Sequence, residues 1–218
     1  MTRLPISLVM FTKDNAESIY LPIESVKDVV SEIIVVDTGS FDRTIEIAKD
    51  YGARVYEVGF TDFGNIRTLA IHLANEKWIL SLDSDEIINY AEVQLLDVLI
   101  SFSHVDAWGL PRRRWNNLAM DTDNQIELEA YPDYQYRFIQ NKKYLHYVNR
   151  VHERLNGAIV TQQANDGPHI EHFQDVFKTG QKLQIRNNLY KELYNQDICD
   201  GVKHTTPPIA TIDQRKKQ

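Results

Sequence analysis

The acidic residues of this chain fall where apolar runs end, and that placement is the first sign of chemistry. Trp78-Ile-Leu-Ser-Leu82 runs directly into Asp83-Ser84-Asp85-Glu86, so a buried strand terminates in three carboxylates. In an open α/β sheet, ligands bind beyond the carboxyl ends of the strands. Two ionised carboxylates about 4 Å apart repel by roughly 4 kcal/mol at an effective dielectric of about 20, and something has to offset that. A hard divalent cation, Mg2+ or Mn2+, would do so, held by one or two carboxylates together with substrate phosphates. The competing reading makes Asp85 or Glu86 a cap for the following helix. Taken alone, the motif leaves both open.

A second acid follows an earlier apolar run: Val35-Val36-Asp37-Thr38-Gly39-Ser40, then Asp42-Arg43-Thr44 opening a helix. Gly39 permits a tight turn, and Asp37 with the nearby hydroxyls has the donors and acceptors to meet a base or a ribose. Ser40 and Asp42 are read as N-caps. No G-x-G-x-x-G follows the first strand and no G-x-x-x-x-G-K-[ST] occurs, which removes dinucleotide oxidoreductases and P-loop enzymes.

Arg67 lies on a helix whose apolar face is made by its neighbours. Its guanidinium is therefore expected to point away from the core, toward a phosphate, a base or a surface salt bridge. In Asn149-Arg150-Val151-His152-Glu153 a His adjoins a Glu, without the second His of H-E-x-x-H or the Cys pair of a deaminase, so zinc protease and deaminase chemistry are unsupported. His169 and His172, three residues apart, would lie on opposite faces of a strand, so at most one points into a site and the other is structural.

The elements that must position these residues can be read from periodicity. Over the first hundred residues, β-branched runs alternate with helical patterns, as in a largely parallel sheet covered by helices. Strands are expected at Ile6 to Phe11, Glu32 to Val36, Arg54 to Val58 and Trp78 to Leu82, each apolar enough to be buried on both faces. Ile66, Leu69, Ala70, Leu73 and Ala74 mark one face of a helix, and Gly52 is placed to end a helix begun near Asp42. A helix through Ser25 to Val30 is expected to begin no earlier than Pro22, which allows a start there but not a helix running through it.

Beyond Phe102, Ala107 to Leu110, Tyr134 to Ile139 and Tyr144 to Val148 read as strands, separated by a polar loop or lid from Asn116 to Asp133. The acids of that stretch, Asp121, Asp123, Glu127, Glu129 and Asp133, have no EF-hand spacing and are read as a solvated surface. Arg112, Arg113, Arg114 and Trp115 read as a basic loop paired with the chain's own acids, the competing partner being an anionic glycan or lipid headgroup. Val176 to Gln196 reads as a long helix with Ile185, Leu189 and Leu193 on its apolar side and Tyr190 and Tyr194 beside them, and the residues from His204 onward read as a loose tail.

At 218 residues the chain has the size of one domain, here residues 1–203 with a nucleotide-binding half (1–102), an acceptor-side half (103–203) and a flexible tail (204–218). A formal charge of −7 argues against nucleic acid as a partner. The lone Cys199 cannot make a disulfide within the chain, so a cytoplasmic location is expected. The apolar stretch Leu4 to Phe11 is too short for a signal core or a membrane span. That expectation leaves room for peripheral contact at the inner face of a membrane.

Together, VVDTGSFDRT at Val35 to Thr44, Asp62-Phe63 with Arg67, WILSLDSDE at Trp78 to Glu86 and NRVHERL at Asn149 to Leu155 resemble the family 2 glycosyltransferases. The likeness is to the branch of lipopolysaccharide-core β-1,4-glucosyltransferase-like proteins and covers roughly Ile6 to Tyr194. It implies an α/β GT-A fold with a mostly parallel central sheet, a nucleotide-diphosphate sugar donor, and Mn2+ or Mg2+ at the D-x-D motif Asp83-Ser84-Asp85. On that resemblance Asp85 ligates the metal, Asp83 and Ser84 contact the ribose or metal-bound water, and Thr12, Asp37, Thr38 and Arg67 hold the donor. His172 resembles a late histidine that touches metal or diphosphate. An E-D motif that supplies the base in many relatives is absent, and the V-H-E segment occupies its place, making Glu153 the candidate base and His152 its orienter.

Several positions depart from the family pattern: Phe41 replaces a small polar residue, Arg43 a Gly and Thr68 an Asn, while Thr38 stands where many relatives carry a second Asp. The base is therefore left open, with uridine the commonest choice. The implied activity is inverting transfer of a hexose, from UDP-glucose in the first instance, to a hydroxyl of a glycan or glycolipid. The alternatives are a sugar-1-phosphate nucleotidyltransferase and a non-catalytic nucleotide-sugar or glycan-binding module.

Overall fold

The computed structural model describes residues 2–118, 120, 125–126, 131–173, 176–178 and 180–199. Five consecutive residues, Ile6 to Met10, are buried in β1 (Leu4–Thr12), which both-face burial makes a central strand. It pairs in parallel with β2 (Val30–Asp37) on one side and with β4 (Trp78–Ser81) on the other, and β3 (Arg54–Glu57) extends the sheet beyond β2. The crossovers are α1 (Tyr20–Val26), α2 (Thr44–Asp50) and α3 (Phe63–His72). Helix α1 begins earlier than expected. Pro22 lies in its first turn, where the missing N–H leaves no bond unmade, and Val30 already opens β2.

The parallel half is continued by a mixed one. Strand β8 (Asp133–Gln140) runs antiparallel to β4, and β6 (Ala107–Trp115) antiparallel to β8. Then come β12 (Ile170–His172), parallel to β6, and β5 (Glu86–Ile88), antiparallel to β12. The sheet order is β3-β2-β1-β4-β8-β6-β12-β5, with short strands β7 (Gln125–Ile126) and β11 (Thr161–Gln163) also on β6. A separate pair, β9 (His146–Val148) and β10 (Arg154–Asn156), and the helices α4 (Leu95–Ile100) and α5 (Gly180–Cys199) complete the described elements.

Side-chain alternation along β1, β2 and β4 builds a core on each face of the sheet. Ile6, Leu8, Met10, Val35, Trp78 and Leu80 pack with Ile19, Ile23, Leu96 and Leu99, while Val9, Ile34, Val36 and Ile79 pack with Ile66, Ala70 and Ile71 of α3. Trp78 stacks on Phe138 of β8 with ring centroids 5.0 Å apart. Each such side chain contributes about 1.5–3 kcal/mol of burial.

Two expectations are corrected. Arg112 to Trp115 do not form a loop but the end of β6; they do pair with the chain's own acids, since Arg112 bonds Glu86 and Asp133, Arg113 bonds Glu171, and Arg114 lies 3.4 Å from Asp133. The inner side of α5 is not the Ile185 stripe, because Ile185 is exposed; Leu193 and Asp197 are buried and Arg186 and Tyr190 are half-buried. The two halves on either side of residue 102 share one sheet, since β5 pairs with β12 and β4 with β8. Asp121, Asp123, Glu127, Glu129 and the 204–218 tail lie outside the described residues.

Candidate active site

The register of the parallel strands brings the sequence-selected acids to one edge. Thr12, at the end of β1, pairs with Asp37, at the end of β2. Val9 pairs with Ser81 at the end of β4, so Asp83, Ser84 and Asp85 emerge beside the same edge. Asp37 is fully buried and holds its own turn: Oδ1 accepts from the N–H groups of Gly39 and Ser40 at 2.9 and 2.8 Å, and Oδ2 accepts from the Ser40 hydroxyl. Gly39 has φ +101°, a conformation only glycine adopts freely. Thr38 donates to the Thr12 carbonyl from its backbone N–H (2.9 Å) and its hydroxyl (3.1 Å), tying the turn to β1. Ser40 is not the N-cap expected; its hydroxyl accepts from the Asp14 N–H at 2.8 Å. Asp42 is not the N-cap either, since Arg43 holds that position; it stands one residue earlier and accepts from the Thr44 N–H at 3.0 Å.

Arg67 is placed differently from the expectation. Its guanidinium is buried rather than presented to solvent, and it gathers residues from three parts of the chain. Nε and Nη2 donate to Glu153 Oε1 at 2.9 and 2.7 Å, Nη1 to the Ser81 hydroxyl at 3.0 Å, and Nη2 also to Asp83 Oδ1 at 2.7 Å. The cation lies over the rings of Phe11 and Tyr147, 4.8 and 5.5 Å from their centroids. Arg137, on β8, donates to Asp83 Oδ2 at 3.0 Å. Burial alone would raise the Asp83 pKa, but the Arg137 and Arg67 charges more than offset it and hold the carboxyl far below the usual range.

The segment carrying His152 and Glu153 is fixed against α3. Phe63 N–H donates to the Arg150 carbonyl at 3.1 Å, and a Cβ on Gly64 would stand 2.4 Å from the Asn149 carbonyl oxygen, so only glycine allows this approach. Asn149 and His152 take positive φ values of +73° and +52°, which the packing around them has to enforce. The His152 ring lies 6.0 Å from that of Tyr190 on α5.

Asp85 stands apart from the Arg67 group. Its Oδ2 accepts from Lys178 Nζ and faces His172 Nε2 at 3.7 Å. Burial would raise this carboxyl too, and His172 with Lys178 overcomes that and keeps it ionised well below the usual range. His172 Nδ1 is buried with no hydrogen-bond partner among the described residues. His169 turns elsewhere, its Nδ1 2.7 Å from Glu92 and its Nε2 3.1 Å from the Tyr131 hydroxyl. Among the described residues no three His, Cys, Asp or Glu side chains are grouped to hold a metal unaided. The Asp85 carboxylate nevertheless fits Mn2+ or Mg2+, oxygen-seeking ions that draw their remaining ligands from phosphate and water.

Sequence reasoning missed Arg137, Ser81 and Lys178. Period-2 alternation puts Asp133, Gln135 and Arg137 on one face of β8, but only the antiparallel pairing with β4 shows that this face meets Asp83. Lys178 precedes α5 and has no motif around it.

A parallel sheet half joined to a mixed half, with its acids at the carboxyl edge, defines an α/β protein of the GT-A type. The solved structure of TarS from S. aureus superposes with a TM-score of 0.59 over 89% of this chain and 43% of TarS, at 15% identity, a likeness of fold. Glycosyl transferase family 2 matches residues 7–116, just over half of the chain, and the chain belongs to that family. An uncharacterized glycosyltransferase of Rickettsia felis is 28% identical over 155 residues, covering 71% of this chain and 54% of that protein. A TPR repeat-containing protein of Synechococcus elongatus is 46% identical over 82 residues, 37% of this chain and 20% of that protein. The chain thus spans about half the length, or less, of these relatives. Among the described residues no helix is long and apolar enough to cross a membrane.

Proposed function

We propose that the chain transfers a hexose, with inversion, from a nucleotide-diphosphate donor, UDP-glucose in the first instance, to a hydroxyl of a glycan or glycolipid, with Mn2+ or Mg2+ at Asp85. The observation that carries this reading is Arg67, which ties Glu153, 86 residues away in sequence, to the Asp83 of the acid turn. A candidate base and a candidate donor site are thereby joined by one side chain. Uridine is further supported by TarS 1–349, which was solved in complex with UDP and with UDP-GlcNAc.

In this reading the Asp37 turn with Thr12 and Thr38 receives the nucleoside, Ser84 and Asp83 lie along the ribose and diphosphate, and Asp85 with His172 holds the cation. A cation held there would supply Lewis-acid stabilisation of charge developing on the departing diphosphate. Both Arg67 contacts fall on Glu153 Oε1, and Oε2 takes the proton of the acceptor hydroxyl. The acceptor oxygen bonds to the anomeric carbon as its bond to the diphosphate breaks, and the configuration inverts. Such a positioned base contributes roughly 10²- to 10⁴-fold. His152, one residue away in an enforced backbone conformation, orients Glu153.

The test is a thermal-shift screen of nucleotide sugars with and without Mn2+, followed by calorimetry on Asp85→Ala. The donor that raises the melting temperature only with Mn2+ is expected to lose that binding in Asp85→Ala while the far-UV spectrum stays native. Unchanged donor affinity in the variant would remove Asp85 from the role.

A further inference from the structure

Two lysines at the start of the C-terminal helix reach back over the carboxyl edge of the sheet, one on each side of the end of β1. Lys178 Nζ donates to Asp85 Oδ2, and Lys182 Nζ donates to the Asp14 carbonyl at 2.9 Å. Asp14 follows the end of β1, and its carboxylate accepts from the Phe41 N–H at 2.7 Å, so Lys182 stands beside the Asp37 turn. Lys178 stands beside the acid turn. The end of β1 lies between them, because β1 pairs with β2 on one side and β4 on the other. A diphosphate running from a nucleoside at the Asp37 turn to a cation at Asp85 has to cross this interval, carrying its charge past both ammonium groups.

Lys178 also occupies the oxygen that the cation needs. An ammonium and a divalent ion on one carboxylate oxygen would repel strongly, so the two exclude each other there. We propose that Lys178 is the counter-ion of Asp85 in the donor-free protein and exchanges Asp85 for the donor's diphosphate when the cation binds, with Lys182 as the second diphosphate contact. This assignment rests on the donor reading above and adds to it the side chains that grip the diphosphate. It also couples the two ligands. The cation displaces Lys178 from Asp85 and the diphosphate takes up the displaced charge, so each ligand tightens the other.

Removing Lys178 therefore acts with opposite signs on the two ligands, which a purely structural lysine would not do. The experiment is titration calorimetry of Mn2+ alone, and of UDP, ADP, GDP and dTDP at saturating Mn2+, on wild type, Lys178→Ala, Lys178→Gln and Lys182→Ala. Both Lys178 variants are expected to bind Mn2+ alone about tenfold more tightly and the preferred nucleotide about tenfold more weakly. Lys182→Ala is expected to weaken the nucleotide by a similar factor and leave Mn2+ unchanged. The glutamine variant keeps most of the stem and a donor group without the charge, so it separates the charge from packing of the stem. Lys178 variants that match wild type in both titrations, or bind Mn2+ less tightly, overturn the assignment while leaving the donor reading in place. A wild type that binds none of the four nucleotides overturns both.

Discussion

Glu153 reaches its place through Arg67, whose planar fork spans Glu153 Oε1, the Ser81 hydroxyl and Asp83 Oδ1 in one geometry. Burial works against the charge on Arg67, and the two carboxylates more than compensate, holding its pKa above even the ordinary arginine value. Glu153→Gln tests the base without dismantling this group, because the amide oxygen still accepts from Arg67. Turnover is expected to fall by about 10²-fold or more, with donor affinity by calorimetry and the melting temperature close to wild type. Near-normal turnover would exclude Glu153 as the base. At this scale the sequence exposed Asp37 and the acids of the Asp83 turn, which follow apolar runs, and Glu153 through the family resemblance, but not the partners of Arg67. Nothing local at Arg67 indicates that a carboxylate 86 residues downstream will lie against it, and its own helical periodicity pointed it outward.

Among the elements, β1, β2 and β4 were legible because burial on both faces leaves a nearly continuous apolar run, whereas β3, expected to be buried likewise, is the edge strand and has no buried residue. Strands β5, β10, β11 and β12 were not legible, being three residues each and drawing their order from neighbours rather than from a pattern of their own. One side chain shows how such a short edge is held. Asp106, just before β6, accepts from the N–H groups of Ile159 and Val160 at 2.7 and 2.9 Å and pairs with Lys142, fixing the chain that leads into β11. Burial raises its pKa, but the Lys142 and backbone hydrogen bonds lower it further, so the folded value lies below the unfolded one. A carboxyl shifted in that direction stabilises the fold above the unfolded pKa of about 4, and the contribution is lost as pH falls below it. Asp106→Asn is expected to cost about 1–3 kcal/mol at pH 7 in urea unfolding. The gap to wild type should narrow progressively below about pH 4. A gap that stays constant down to pH 3 would show that the charge at Asp106 contributes nothing.

Over the whole molecule, helix α5 links the two sides of the site. Its length of about 30 Å, at about 1.5 Å per residue, carries the chain from Lys178 beside Asp85, past Lys182 at Asp14, to Tyr190, whose ring lies 4.9 Å from that of Phe63. It ends at the segment that bears Glu153: buried Asp197 accepts from the Arg150 N–H at 3.0 Å through Oδ2, and its Oδ1 lies 3.2 Å from Arg150 Nη1. A helix was legible here, but its inner side only in part: Leu193 is buried and Leu189 and Tyr190 half-buried as expected, whereas Ile185 is exposed and the polar Arg186 and Asp197 turn inward. The arrangement assigns Asp197 a positioning role, acting on Glu153 through the backbone of Arg150. Misplacing a reacting group by about 1 Å can cost about 10²-fold in rate. Asp197→Ala is accordingly expected to lower kcat by about ten- to a hundredfold, while the donor Kd measured by calorimetry stays at the wild-type value. Restored turnover in Asp197→Glu would tie the loss to the carboxylate on Arg150. If instead the donor Kd rises and kcat holds, the end of α5 serves the nucleotide and not the base.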